Sequence, residues 1–358
     1  MTIQILVGDV REKLRRLAAD SIHCCVTSPP YWGLRDYGVE GQIGLEPTPA
    51  EFIAVMVDVF EEVRRVLRPD GTCWINMGDS YATGAGAVGR APGGGDQGER
   101  FIRRGMVNTQ PNRKKLDGFK PKDLCMMPHR LAIALQDAGW WVRQDIVWSK
   151  PNPMPESVRD RCTKSHEYIF LLTKSERYFY DAEAIKEPVV GDAGAPRNRW
   201  DTKDYDVPGQ KPQKRVARGV GFGHGTDVEQ RRRGRILPVE MIDAAASARL
   251  GRGPGWRDTA DIPALRNKRS VWTMATHSFA EAHFATFPPE LPETCIKAGC
   301  PVGGTVLDPF FGAGTTGLVA DRLQRDCIGI ELNPAYAEIA RKRIQAESTL
   351  FAEIEVAA

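Results

Sequence analysis

Gly304-Thr305-Val306-Leu307-Asp308-Pro309-Phe310-Phe311-Gly312-Ala313-Gly314-Thr315-Thr316-Gly317 passes from a short apolar run, through a glycine-rich turn, into a helical pattern. Residues 304–308 read as a buried strand, and the helix that starts in the turn is predicted to end near Leu323. The glycines permit a tight bend and close backbone approach, while a helix start offers unpaired amides and a positive dipole end to a polar ligand. A second strand is predicted over 327–330, ending at Glu331, whose carboxylate can accept both hydroxyls of a ribose. Gly312, Gly314 and Gly317, with an acidic residue roughly 20 positions on, also satisfy the dinucleotide fingerprint. A nicotinamide-dependent oxidoreductase is therefore one reading of the turn.

Position in the chain weighs against it. Only 27 residues follow Glu331, too few to finish a dinucleotide-binding sheet, so earlier segments must complete it. Residues 3–7 read as a strand ending in Gly8-Asp9, 10–17 as a helix and 22–26 as the next strand. If the chain closes on itself, 3–7 sits beside 327–330, and the residues after position 26 lie at the carboxyl edge that carries the glycine turn. Ligands of open α/β sheets collect along that edge. The tract at that position is Thr27-Ser28-Pro29-Pro30-Tyr31-Trp32. The Ser28 oxygen and the Pro29 carbonyl can accept hydrogen bonds from an exocyclic amine, and Tyr31 offers a face for stacking. Taken alone, the tract is equally a proline-rich turn beside a core strand.

Together these segments resemble the DNA amino-methyltransferases of the permuted, beta-class kind, in which the catalytic motif precedes the cofactor motif. In that family a Ser/Asp-Pro-Pro-Tyr/Phe motif holds the target amine, here Ser28, Pro29, Pro30 and Tyr31. An Asp-Pro-Phe-x-Gly-x-Gly-Thr stretch binds S-adenosylmethionine, here Asp308, Pro309, Phe310, Gly312, Gly314 and Thr315. Trp148-Ser149-Lys150-Pro151-Asn152-Pro153-Met154-Pro155-Glu156-Ser157 and Phe287-Pro288-Pro289-Glu290-Leu291 are similar to further family blocks. The resemblance implies an α/β fold: a Rossmann-like methyltransferase sheet, circularly permuted, with an inserted basic target-recognition region. It sets Phe310, Gly312, Gly314 and Thr315 around the methionine part of the cofactor and Glu331 on its ribose.

Asp9 is a candidate acceptor for the cofactor's adenine amine and, equally, an N-cap for 10–17. Thr316 is a further candidate at the cofactor and, equally, a cap or packing residue in the same turn. Asn333-Pro334 reads as a helix start, a structural role. Asp79 reads as a loop turn near a strand end, with the base pocket as the alternative, and His166, alone before a strand, as structural rather than a general base. The block at Trp148 and Lys150 either supports the pocket or touches DNA.

The resemblance also implies the chemistry. Aspartate often opens the first motif in adenine-modifying members and serine in cytosine-modifying ones, so Ser28 points to the N4 amine of cytosine, with N6 of adenine as the alternative. The substrate is double-stranded DNA, with the target base flipped out and stacked on Tyr31, and RNA remains a rival polymer. A cognate restriction endonuclease acting on the same site is the companion expected in a restriction-modification pair. A DNA-binding protein without catalysis would need neither motif.

Composition fits an intracellular enzyme, with 358 residues, 42% hydrophobic content, no visible signal peptide and no apolar run long enough to span a membrane. That places the expected location in the cytoplasm. Eight cysteines without a CxxC pair suggest neither a metal site nor disulfides and read as reduced core residues. Net charge is +3, but residues 186–269 carry 18 Lys/Arg against 11 Asp/Glu and include Arg231-Arg232-Arg233-Gly234-Arg235. Residues 86–122 add 9 basic against 3 acidic side chains, and the glycine-rich 84–98 is expected to be disordered without DNA. Basic segments of this kind suit a phosphate backbone.

The expected organisation is a catalytic part over 1–184 with a basic glycine-rich loop near 83–122, a target-recognition region over 185–271, and a cofactor-binding part over 272–358. Apolar spacing predicts helices over 49–67, 127–138 and 334–345, and strands over 72–76, 142–148 and 167–172.

Overall fold

Cys24 and Val26 face one layer of the protein and Cys25 the other, and all three are buried. This is the behaviour of a central parallel strand covered on both faces. The computed structural model describes residues 1–33, 38–82, 119–188, 265–276, 286–347 and 353–357. Most of the basic loop, 83–118, and most of the predicted recognition region, 189–264, lie outside the described residues.

The chain divides into two units, Met1–Lys186 with Asn267–Ala358, and Glu187–Arg266. The first is built on a sheet whose strands are, in chain order, β1 (Thr2–Val7), β2 (Ile22–Thr27), β3 (Leu67–Met77), β4 (Trp141–Ser149), β5 (His166–Thr173), β8 (Val271–Thr273), β9 (Thr305–Asp308), β10 (Asp326–Glu331) and β11 (Glu353–Ala357). Their spatial order is β11-β1-β10-β9-β2-β3-β5-β4-β8. In this sheet only the β3–β5 and β4–β5 pairings are antiparallel. In the second unit the described residues form β6 (Glu187–Pro188) and β7 (Leu265–Arg266), an antiparallel pair whose Arg266 guanidinium meets Glu187 at 2.9 Å.

The expected closure of the chain is present: Ile3 to Val7 run parallel to Cys327 to Glu331 in register. Cys24 and Cys25 of β2 pair with Val306 and Leu307 of β9. The Ser28 tract and the glycine turn therefore leave adjacent strands at one edge.

Two helical layers cover the sheet. Helices α1 (Val10–Arg16), α2 (Pro49–Val66) and α3 (Met127–Asp137) supply one core with Leu14, Phe52, Phe60 and Leu131. Helices α4 (Glu290–Gly299), α5 (Thr315–Arg322) and α6 (Pro334–Glu347) supply the other with Ile296, Leu318 and Ile344. The start of α2 is set by a capping box, Thr48 and Glu51 each accepting from the other's backbone amide, with Pro49 in the first turn. Its buried Phe52, Met56, Val59, Phe60 and Val63 follow helical spacing along one stripe.

The predicted elements lie where spacing put them, with strand 72–76 lengthened to Leu67–Met77. Helix α4 and strands β8 and β11 were not expected. Val271, at the end of the expected insert, opens β8 beside Val147. The cysteines are free, but Cys162 is exposed rather than part of the core; the other seven are buried. Its neighbours explain this, since 151–165 is a polar, proline-containing loop rather than an apolar element. Among the described residues, no helix is long and apolar enough to cross a membrane.

Phe311 fixes the shape of the glycine turn. Its ring fills space that side chains on Gly329 and Gly317 would occupy, with Cβ atoms falling 2.3 and 2.7 Å from ring carbons. Gly329→Ala is expected to lower the free energy of unfolding by roughly 1–3 kcal/mol in urea denaturation, through overpacking. Adding Phe311→Leu should recover part of the loss. An unchanged midpoint for Gly329→Ala would remove the packing argument.

Candidate active site

The glycine turn is built around one buried carboxylate. Asp308, the last residue of β9, accepts from Thr27 Oγ1 at 2.6 Å, Thr316 Oγ1 at 2.6 Å and the Phe310 amide at 3.1 Å. Burial pushes its pKa up to about 6, with the three hydrogen bonds opposing the rise. Thr316, expected at the cofactor or as a cap, thus ties α5 to β9. Gly314 precedes α5 with φ of +74°, a left-handed conformation that favours glycine, and a Cβ there would meet Ala340 at 3.0 Å. From α6, Arg343 donates to the Ala313 carbonyl at 3.2 Å and to Thr315 Oγ1 at 2.9 Å, clamping the turn from outside.

Glu331 ends β10 and accepts from the Gly312 amide through Oε2 and the Asn333 amide through Oε1, both at 2.8 Å. Burial raises its pKa. Each oxygen retains acceptor capacity, so a ligand hydroxyl remains possible. Asn333 in turn accepts from the Ala335 amide at 2.9 Å, the structural role expected at the start of α6. Asp9 caps α1, accepting from the Arg11 amide at 2.8 Å and Glu12 amide at 3.3 Å. The Arg11 guanidinium beside it holds its carboxyl below the ordinary range.

On the neighbouring strand, Ser28 Oγ lies 3.5 Å from the Tyr31 hydroxyl. That hydroxyl donates to Glu167 Oε2 at 2.8 Å. Burial, then the charge of Glu167, pushes the phenol well above its usual range, so it stays protonated as a donor. Glu167 also accepts from Asn76 Nδ2 at 3.2 Å and is paired with the Lys150 ammonium. Lys150 lies over the Trp148 ring at 4.3 Å, and Trp148 donates to the Met274 carbonyl at 2.9 Å. Gly78 makes room for the Tyr31 ring, since a Cβ there would fall 2.7 Å from it.

These groups line one cavity of about 560 Å³, within the ~300–1,000 Å³ of small-molecule sites. Asp9, Ser28, Pro29, Pro30, Tyr31, Asp308, Pro309, Phe310, Gly312, Thr315 and Glu331 all reach it. Gly314 and Thr316 do not, and serve the turn's shape instead. Asp79 lines the wall and also caps the start of α3, accepting from the Ser80 amide at 2.9 Å and the Met127 amide at 3.1 Å. His166 lines it too, its Nε2 3.3 Å from the Tyr168 hydroxyl, and burial lowers its pKa. Sequence reasoning missed Asn76, Lys164 and Glu167. The available signal was a pair of opposite charges, Lys150 just past the end of β4 and Glu167 near the start of β5.

One cavity at the edge of a mostly parallel sheet thus joins the glycine turn to the Ser28–Tyr31 corner, the place where ligands of α/β folds collect. The chain belongs to the DNA methylase family N6_N4_Mtase, whose family model matches residues 22–342. It is 42% identical to the Type II methyltransferase M.XycI of Xanthomonas campestris pv. cyanopsidis over 342 residues, covering 96% of this chain and 87% of that one. It is 40% identical to the Type II methyltransferase M.SmaI of Serratia marcescens over 95% of this chain and 90% of that one. Among solved structures, the cytosine-N4-specific PvuII DNA methyltransferase matches with a TM-score of 0.55 at 16% identity, covering 99% of this chain and 96% of that one. A putative DNA modification methylase of Thermus thermophilus, crystallised with S-adenosyl-L-methionine, matches with a TM-score of 0.53 at 24% identity, over 99% and 100% of the two chains. These two structures share the fold. Membership of this family removes the nicotinamide reading of Gly312, Gly314 and Gly317.

The raised pKa of Asp308 has a sign that can be measured. Its folded pKa, about 6, lies above the unfolded value of 3.8, so between those pH values the folded state holds the extra proton. Stability contributed by this group is full below the unfolded pKa and is lost as pH rises through about 6. Asp308→Asn should therefore gain stability relative to the wild type between pH 4 and pH 7, as followed by chemical denaturation. A difference that stays constant over that range would count against a buried, titrating Asp308.

Proposed function

We propose that this DNA methylase transfers the methyl group of S-adenosylmethionine to the exocyclic N4 amine of cytosine in double-stranded DNA. The observation that carries the reading is the single cavity lined by both Ser28–Tyr31 and the Asp308 turn, held together by the Thr27–Asp308 hydrogen bond. S-adenosylmethionine supplies an electrophilic sulfonium methyl. Pro309, Phe310, Gly312 and Thr315 would hold its methionine part, and the spare acceptor capacity of Glu331 its ribose. Asp9 is free to take an adenine amine only with the lone pairs left over from capping α1.

At the other end, Ser28 Oγ and the Pro29 carbonyl accept the two amine hydrogens. That directs the nitrogen lone pair away from the ring and toward tetrahedral geometry. No strong base is needed before attack, because the methylated, cationic amine is acidic and loses its proton afterwards. Alignment supplies much of the rate. A paired cytosine hides its amine in the duplex, so the nucleotide is flipped out and stacked on Tyr31, whose ring is held by its bond to Glu167.

Serine at the first motif position supports cytosine. N6 of adenine is the second reading, since the family covers both amines in name. The order of motifs, with Ser28 ahead of the glycine turn, supports the permuted class. The excess of Lys/Arg over 185–271 supports target recognition there. The Type II names of the relatives support a cognate restriction endonuclease as companion.

The test is incubation of purified protein with mixed-sequence duplex DNA and methyl-labelled S-adenosylmethionine, then digestion to nucleosides and mass spectrometry. N4-methylcytosine is expected, and Ser28→Ala should lower kcat on the order of 10²-fold. N6-methyladenine would move the assignment to the second reading, and methylated RNA but not DNA would overturn it. Tyr31→Phe should lower kcat about 10-fold with little change in cofactor affinity. Combined with Glu167→Ala it should cost no more than Glu167→Ala alone, because each change removes one partner of the same hydrogen bond. Additive losses would separate the two residues.

A further inference from the structure

Among the described residues, Met154 is the most exposed of the large hydrophobic side chains, at 85%, and the only one of those exposed side chains that also lines the cavity. An isolated exposed apolar residue is ordinary on a protein surface. An exposed one at the rim of a site is less so, and the segment that carries this one is restrained on both sides of it.

Three prolines, Pro151, Pro153 and Pro155, alternate through the segment that presents it. Each fixes its own φ and biases the preceding residue toward extended backbone. Asn152 is fastened on both sides, donating to the Thr276 carbonyl at 3.2 Å and accepting from the Thr276 amide at 2.9 Å. On the return, Glu156 accepts from Arg161 at 2.7 and 3.3 Å and from the Lys164 amide at 3.1 Å. The loop leaves the end of β4 and re-enters at the start of β5, beside the carboxyl end of β3, so it rises from the edge that holds the site. Residues 150–165 carry four Lys/Arg against two Asp/Glu, a balance suited to a phosphate backbone.

We infer that Met154 is a wedge that enters the base stack of duplex DNA and fills the space vacated by the flipped target nucleotide. A preorganised tip pays little ordering entropy on insertion, and an unbranched thioether adapts to the faces of unlike flanking bases. Apolar side chains, methionine among them, are used this way by proteins that unstack DNA. The inference rests on the base-flipping methyltransferase reading above.

The methylated position is first mapped by sequencing DNA modified by the wild-type protein. Duplexes are then made with the target base paired, or opposite an abasic site so that no pairing is lost on flipping. In single-turnover assays Met154→Ala should methylate the paired duplex about tenfold more slowly and the abasic one within about twofold of wild type. Met154→Leu should restore the paired rate, and S-adenosylmethionine affinity should be unchanged in both variants. Equal rates for Met154→Ala and wild type on paired DNA would overturn the wedge. So would an equal loss on both duplexes, which would mean general docking. Absence of methylation by the wild type would instead sink the underlying reading, and the wedge with it.

Discussion

The contact on which the site depends is the hydrogen bond from Thr27 to Asp308. It joins the carboxyl ends of two strands 281 residues apart in sequence, where both residues are almost fully buried. A buried carboxylate is tolerated only when its lone pairs are used, and Asp308 spends them on one hydroxyl from the catalytic side, one from α5 and one amide of its own turn. The residue after Thr27 is Ser28, and the residues after Asp308 are the glycine turn. A carboxylate that served only stability would be better replaced by an apolar side chain. Here its fixed geometry sets the distance between the Ser28 tract and the glycine turn, the two halves of the proposed reaction.

Phe311 does for packing what Asp308 does for polarity. The glycines of the turn invite a reading in which each makes room for a ligand. The structure divides them: Gly312 lines the cavity, whereas Gly317 and Gly329 make room for the Phe311 ring. A large ring set into a gap between a strand and a helix fixes how the turn leaves β9, and so where the Gly312 amide points. The fingerprint spacing thus reports the close approach of helix and sheet as much as that of a ligand.

The central fold was legible because its signals are local or bounded by chain length. Buried runs such as 22–26 and 327–330, and the helical stripe from Phe52 onward, carry their own periodicity. The pairing of β1 with β10 followed from the shortage of chain after Glu331. Strand β11 was not legible: Glu353-Ile354-Glu355-Val356-Ala357 is short, mostly exposed and defined by its partner Thr2 to Leu6 rather than by its own residues. Helix α4 follows Phe287-Pro288-Pro289, a stretch read only as a family block, although proline is permitted at a helix start. At the site, the motif residues were legible one by one, but the network of Asn76, Lys150 and Glu167 around Tyr31 depends on which strands are neighbours. A residue's spacing does not reveal that. The same limit applied to Asp9, whose two roles differ only in the direction of its lone pairs.

Charge completes the division of labour within the cavity. At the Ser28 end, the carboxylate of Glu167 is paired with Lys150, so the corner proposed to receive a neutral amine is itself close to neutral. At the turn, Asp308 and Glu331 make no ion pair with lysine or arginine among the described residues. Hydrogen bonds alone hold them, and burial raises both pKa values. Such groups give up stability as they ionise, and a cation nearby returns it by favouring the ionised form. The proposed methyl donor is a cation and the proposed acceptor is not. A cavity negative at one end and balanced at the other therefore favours each ligand at its own end before any contact with the reacting atoms is made.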